Sequence, residues 1–120
     1  MRTILLLGAL LFAIVGFSQS PESFKYQTIV RDGAGSVMAN QNVSFQISIV
    51  QGSSSGSSVY TETHLATTNE FGLVNLNIGD GTSSDNFSTI NWENGPYFIK
   101  VELDENGGTS YSEMGTTQLK

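Results

Sequence analysis

"NVSFQISIV", residues 42–50, decides how the rest of the chain is read. Val43, Phe45, Ile47 and Ile49 fall on one side of an extended chain and Ser44, Gln46 and Ser48 on the other, which is the period of a strand with one dry face. Working outward, "LVNLNIG" (73–79) alternates Val74, Leu76 and Ile78 with Asn75 and Asn77. In "PYFIKVEL" (96–103), Tyr97, Ile99, Val101 and Leu103 point inward and Lys100 and Glu102 outward. Weaker strands follow from the Thr, Tyr and Val content of "FKYQTIVRD" (24–32), "VYTETHLAT" (59–67) and "SYSEMGTTQL" (110–119).

Polar, glycine-bearing turns separate these runs: "RDGAGS", "QGSSSGSS", "TNEFG", "GDGTSSDN", "WENGP" and "DENGG". After residue 20 no apolar spacing of three and four is sustained over two turns, so almost no helix is expected. Six or seven strands predict an all-β protein, an antiparallel two-sheet β-sandwich. Its expected core is Tyr26, Val43, Phe45, Ile47, Ile49, Val74, Leu76, Ile78, Ile99, Val101 and Leu103. The Ser-rich 51–58 stretch has the composition of a linker, but the alternation resumes directly after it, which makes it a hairpin loop inside one domain.

Residues 1–20 read as an export signal. Arg2 supplies a positive start, Ile4 to Phe17 an apolar run, and Ser18 and Ser20 the small residues of a cleavage site. The run is too short for a bilayer span, which needs about 18 or more apolar residues, so the expected mature protein is one sandwich domain over 21–120, secreted or displayed at the cell surface. No Cys stands at the boundary to carry a lipid. Removing Arg2 takes the net charge from −6 to −7, a balance that disfavours nucleic acid and anionic membranes as partners. The absence of Cys excludes disulfides, thiolate metal sites and thiol nucleophiles.

Candidate sites are few. Asp80, Asp85, Asp104 and Glu105 offer oxygen ligands for calcium, but neither acidic stretch has the alternating acids and distal Glu of a calcium loop. Asn106-Gly107 after an alternating strand is what a tight reversal needs, and Asp32-Gly33, Asp80-Gly81 and Asn94-Gly95 repeat that pattern. No metal and no cofactor is therefore expected. His64, the sole histidine, shares a strand face with Tyr60 and Glu62 and has no nucleophile motif beside it; it reads as a half-exposed strand position. Most of Glu62, Glu70, Glu93 and Glu102 are placed at strand ends or outward positions with ordinary acidity, so a small hydrolase built on them is disfavoured and no enzyme is expected. Trp92, Tyr97 and Phe98, with Tyr111, are the candidate ligand-binding aromatics for stacking on glycans. In the blander account Trp92 plugs one end of the sandwich and Tyr97 enters the core. Phe98 shares the parity of Lys100 and Glu102, so it marks either a partner surface or a covered second face.

Across residues 22–119, the segments beginning "FKYQTIVRDGAGSVMANQ", "VYTETHLATTNEFG" and "INWENGPYFIKVELDENGG" resemble, in kind and order, an N-terminal module of exported Bacteroidetes proteins that precedes collagen-like, coiled-coil or tail-fibre-type regions. The "TNEFGL" turn is also similar to turns in repeat modules of cell-surface adhesins. The resemblance implies an immunoglobulin-like or transthyretin-like sandwich, a structural or adhesive role beside other surface or fibre domains, and no catalytic residues. Family members usually continue past "GTTQL", so the chain is expected to be either a truncated gene product or the N-terminal part of a longer fibre-like protein.

Overall fold

The computed structural model describes residues 23–119. Its strands are β1 (Phe24–Ile29), β2 (Asn42–Gln51), β3 (Ser57–Thr67), β4 (Leu73–Ile78), β5 (Tyr97–Asp104) and β6 (Ser112–Leu119), with 3₁₀ turns at Phe87–Thr89 and Trp92–Asn94 between β4 and β5. β1 and β4 pair as one antiparallel sheet, and a second runs in the order β3-β2-β5-β6. The two stack as a six-stranded sandwich. In the immunoglobulin order the first two strands share a sheet; here β1 and β2 lie in different ones. The export signal expected over residues 1–20 lies outside the described residues.

Alternation explains the core. Val43, Phe45, Ile47 and Ile49 of β2, Val74, Leu76 and Ile78 of β4, and Ile99 and Val101 of β5 are buried, while Tyr26 and Leu103 pack against them half-buried. Val30, Tyr60, Phe87 and Tyr97 complete the cluster. Each fully buried side chain of this size contributes about 1.5–3 kcal/mol before conformational entropy is subtracted.

Three expectations need correction. First, β2 has no wet face: Ser44, Ser48 and Val50 are also buried. As the strand between β3 and β5 it is covered on its second side, where Ser44 Oγ donates to the Gly108 carbonyl at 2.5 Å. Ser48 Oγ lies 3.3 Å from Thr61 Oγ1, and Ser54 and Ser55 of the hairpin loop line the hollow over Val50. Hydroxyls satisfied this way can be buried at small cost. Second, β1 ends at Ile29 rather than Asp32, because Asp32 Oδ1 accepts from the N–H groups of Ala34 and Ser36, both at 2.9 Å, and closes a local turn. Third, the Asp-Gly and Asn-Gly pairs do not share one rule. Gly107 adopts a left-handed conformation (φ 77°), but Gly33, Gly81 and Gly95 do not, and the positive φ falls at Gly35 and Gly79 instead.

Candidate functional site

The most chemically distinctive group in the sandwich is one the sequence hid. Glu62 sits opposite Ile47 in the β2–β3 register, so its carboxylate enters the interior, and its relative exposure is 1%. Oε1 accepts from the Tyr60 hydroxyl at 2.5 Å and the Gly79 N–H at 2.8 Å. Oε2 accepts from His64 Nε2. Tyr60, Glu62 and His64 alternate along β3 and so share one face.

The 79–85 loop lies against this network. Thr63 and Thr82 exchange two backbone hydrogen bonds of 2.9 Å, Ser83 Oγ donates to the Thr61 carbonyl at 2.5 Å, and the Thr61 N–H donates to Asp85 Oδ2 at 3.0 Å. Gly81 passes so near that a Cβ there would lie 2.7 Å from His64 Nε2 and 2.7 Å from the Thr63 carbonyl oxygen. Only a glycine permits the approach. The loop therefore occupies the outer edge of β3, a position that would otherwise offer unpaired N–H and C=O groups to another chain.

Burial pushes the Glu62 carboxyl up, but hydrogen bonds from His64, Tyr60 and Gly79, with the imidazole charge, outweigh it and hold the group below its ordinary value. The Tyr60 phenol is driven well above its ordinary value, by burial first and then by its bond to Glu62 and that group's charge. The pair therefore stays a neutral phenol donating to a carboxylate. Both carboxylate oxygens are engaged by protein donors, so the arrangement fixes a loop rather than presenting a free acid or base. The ordinary, solvated character expected of most of the glutamates does not hold at Glu62. Parity with the inward Tyr60 was the signal that could have found it. His64, read as a half-exposed strand position, is more enclosed than that, its side chain 12% exposed.

The candidate aromatics divide. Trp92 is 36% exposed and lies at one end of the sandwich, its ring 5.2 Å from Tyr97 and 5.7 Å from Phe87. Phe87 in turn meets Tyr60 at 5.1 Å and Phe24 at 6.2 Å. Tyr97 is buried and its hydroxyl donates to the Asn91 carbonyl at 2.6 Å. Phe98 is half-buried on the opposite face, paired with Val50, so it does not join the other two.

The acidic corners go to turn formation. Asp104 Oδ1 accepts from the Asn106 N–H and Oδ2 from the Ser110 N–H, each at 2.9 Å, and these bonds hold the carboxyl below its ordinary value. The Gly107 N–H donates to the Asp104 carbonyl at 3.1 Å, closing the reversal between β5 and β6. Asp85 is engaged by Thr61; Asp80 and Glu105 are exposed on their loops. Among the described residues no three His, Asp or Glu side chains are grouped closely enough to hold a metal ion, and no helix is long and apolar enough to cross a membrane.

No curated protein and no solved structure matches the chain. A family profile does, over residues 25–117, a span that runs from within β1 through most of β6 and includes the Glu62 network and Trp92. The chain therefore belongs to the DUF8740 family, a domain family of unknown function.

Proposed function

We propose that the domain is a non-catalytic structural or adhesive module, exported through residues 1–20 and working at the cell surface as part of a longer fibre-like protein beside other surface domains. One observation carries the non-catalytic half of this reading: the two buried carboxylates among the described residues, Glu62 and Asp104, have every side-chain oxygen committed to protein donors that fasten a loop or a turn. The surface setting rests on the sequence, on the apolar, small-residue leader and the resemblance to modules of exported Bacteroidetes proteins. Protease shaving and antibody labelling of intact native cells, with mass spectrometry of the mature N-terminus, test it. A chain that keeps residues 1–20 and stays inside the cell would refute the surface role.

A second reading, glycan binding, draws on Trp92, which is partly exposed while Tyr97 is buried and Phe98 is on the other face. Glycan-array binding that disappears in Trp92→Ala, with the circular dichroism spectrum intact, would favour it over the first.

A further inference from the structure

The two sheets differ in width, and the difference falls at one side. Sheet β3-β2-β5-β6 has two strands more than β1-β4, roughly 10 Å at ordinary strand spacing. β4 lies beside β3, so the narrower sheet covers the β3 half and, among the described residues, leaves β6 without a facing strand. Burial follows this offset. The inward residues of β4 are buried, but their partners on β1, Phe24, Tyr26 and Thr28, are only half-buried. Likewise Tyr97, Ile99 and Val101 of β5 are buried, while the β6 residues paired with them are half-buried at Leu119 and exposed at Thr117 and Gly115.

We infer that the free edge of β1, together with the inner face of β6, is an acceptor site for one extended peptide strand from another polypeptide, carrying apolar residues at alternate positions. The Val30 N–H bonds to the Gly72 carbonyl at 2.8 Å. By the alternation of an antiparallel ladder, the N–H and C=O groups of Lys25, Gln27 and Ile29 then point away from β4. An added strand would pair with them and lay its inward side chains between Phe24 and Tyr26 on one side and Thr117 and Leu119 on the other. This is β-strand addition, in which main-chain bonds supply affinity and alternate side chains supply selectivity.

The other edges are less open to the same event: on the outer side of β4 the Leu73 N–H donates to Asn69 Oδ1, the Leu73 carbonyl accepts from the Asn69 N–H and the Asn77 carbonyl from the Asp80 N–H. Residues 80–85 occupy the β3 edge, and β6 is interrupted by a register shift opposite Val101/Glu102 and carries Glu113. A whole second copy does not fit, because joining β1 to β1 would drive the two protruding β6 strands into each other. A lone strand does. Lys25, exposed on the outer side of β1, favours an acidic residue at the outward position beside it.

The site gives the interaction module proposed above its kind of partner, and rests on that reading only for its cellular setting. The test uses a synthetic peptide of about seven residues alternating Val and Thr around a central Glu, with a Pro-substituted version as control, added to the ¹⁵N-labelled mature domain. The expected result is at least about tenfold slower exchange of the Lys25, Gln27 and Ile29 amides with the first peptide and no change with the second. Gln27→Pro removes an outward N–H without touching the β1–β4 ladder, and Thr117→Arg places a charge in the cleft at an exposed position. Both should stay folded and lose the protection. If the peptide leaves these amides unprotected, protects another edge, or binds Gln27→Pro and Thr117→Arg undiminished, the inference fails. Concentration-dependent dimers formed through β1 in sedimentation would overturn it too. Neither result touches the glycan or surface-display tests.

Discussion

His64 Nε2 donates to the buried carboxylate of Glu62 two residues before it on the same strand, and Gly81 lies against both groups. The contact joins β3 to the loop after β4, since the other carboxylate oxygen holds the Gly79 N–H. Replacing Glu62 with Ala strands three donors in the interior and should cost about 3–5 kcal/mol. Glu62→Gln keeps an acceptor but loses the charge and should cost about 1–3 kcal/mol. Urea unfolding at pH 7 measures both. A Glu62→Gln midpoint equal to the parent's would mean the charge contributes no net stability.

Acid should weaken the fold through two carboxyls. Glu62 and Asp104 are both held below their ordinary values of 4.5 and 3.8, so the unfolded chain takes up their protons first. Their contribution is complete above about pH 4.5 and is lost as pH falls through the lower folded-state values. On the alkaline side Tyr60 is raised above 10.0, so stability declines as pH rises past that value, where the unfolded phenol ionises and the folded one does not. Thermal unfolding across pH 2–11 should show both limbs, with the acid limb shallower in Glu62→Gln and the alkaline limb shallower in Tyr60→Phe.

Strand alternation made most of this fold legible: the apolar parity of β2, β4 and β5 is buried, that of β1 half-buried, and the eleven expected core residues are buried or packed on the core. Burial on two faces was not legible, because a Ser reads as polar whether or not its hydroxyl has a partner, and the partners of Ser44 and Ser48 come from distant Gly108 and from Thr61 on the neighbouring strand. Glu62 was misread for the same reason. Two of its donors, Tyr60 and His64, lie two residues away on the same strand face, where shared parity was the available signal, but the third, Gly79, comes from 17 residues on and nothing local to Glu62 announces it. The division of the aromatics depended on where the 86–95 segment carries Trp92, which periodicity does not determine.

The β5–β6 reversal depends on Asp104 and Gly107 in different ways. Gly107→Ala forces a side chain into left-handed φ and should cost about 1 kcal/mol or slightly more. Asp104→Ala removes the acceptor for the Asn106 and Ser110 N–H groups and should speed amide exchange along β6 while leaving β2 and β3 protected. Hydrogen exchange read by strand distinguishes this local loosening from global loss. Uniform acceleration across all six strands would contradict it.

Gly81→Ala tests whether the 79–85 loop guards the β3 edge. The new Cβ would stand 2.7 Å from the Thr63 carbonyl oxygen and 2.9 Å from the Glu62 carboxyl carbon, and backbone cannot yield as a side-chain tip can, so the loop must lift. That motion breaks the paired Thr63–Thr82 bonds and weakens the Gly79 bond to Glu62, a loss of about 1–3 kcal/mol. It also uncovers ladder groups along β3, beside the exposed Leu65 and Val59, and an open apolar edge recruits other chains. Gly81→Ala should therefore both unfold earlier in urea and self-associate as concentration rises. Gly33→Ala, where a Cβ meets nothing within 4 Å, should do neither. Destabilisation of Gly81→Ala without faster exchange at Thr63 and Thr82 would show that the loop is not the guard of this edge.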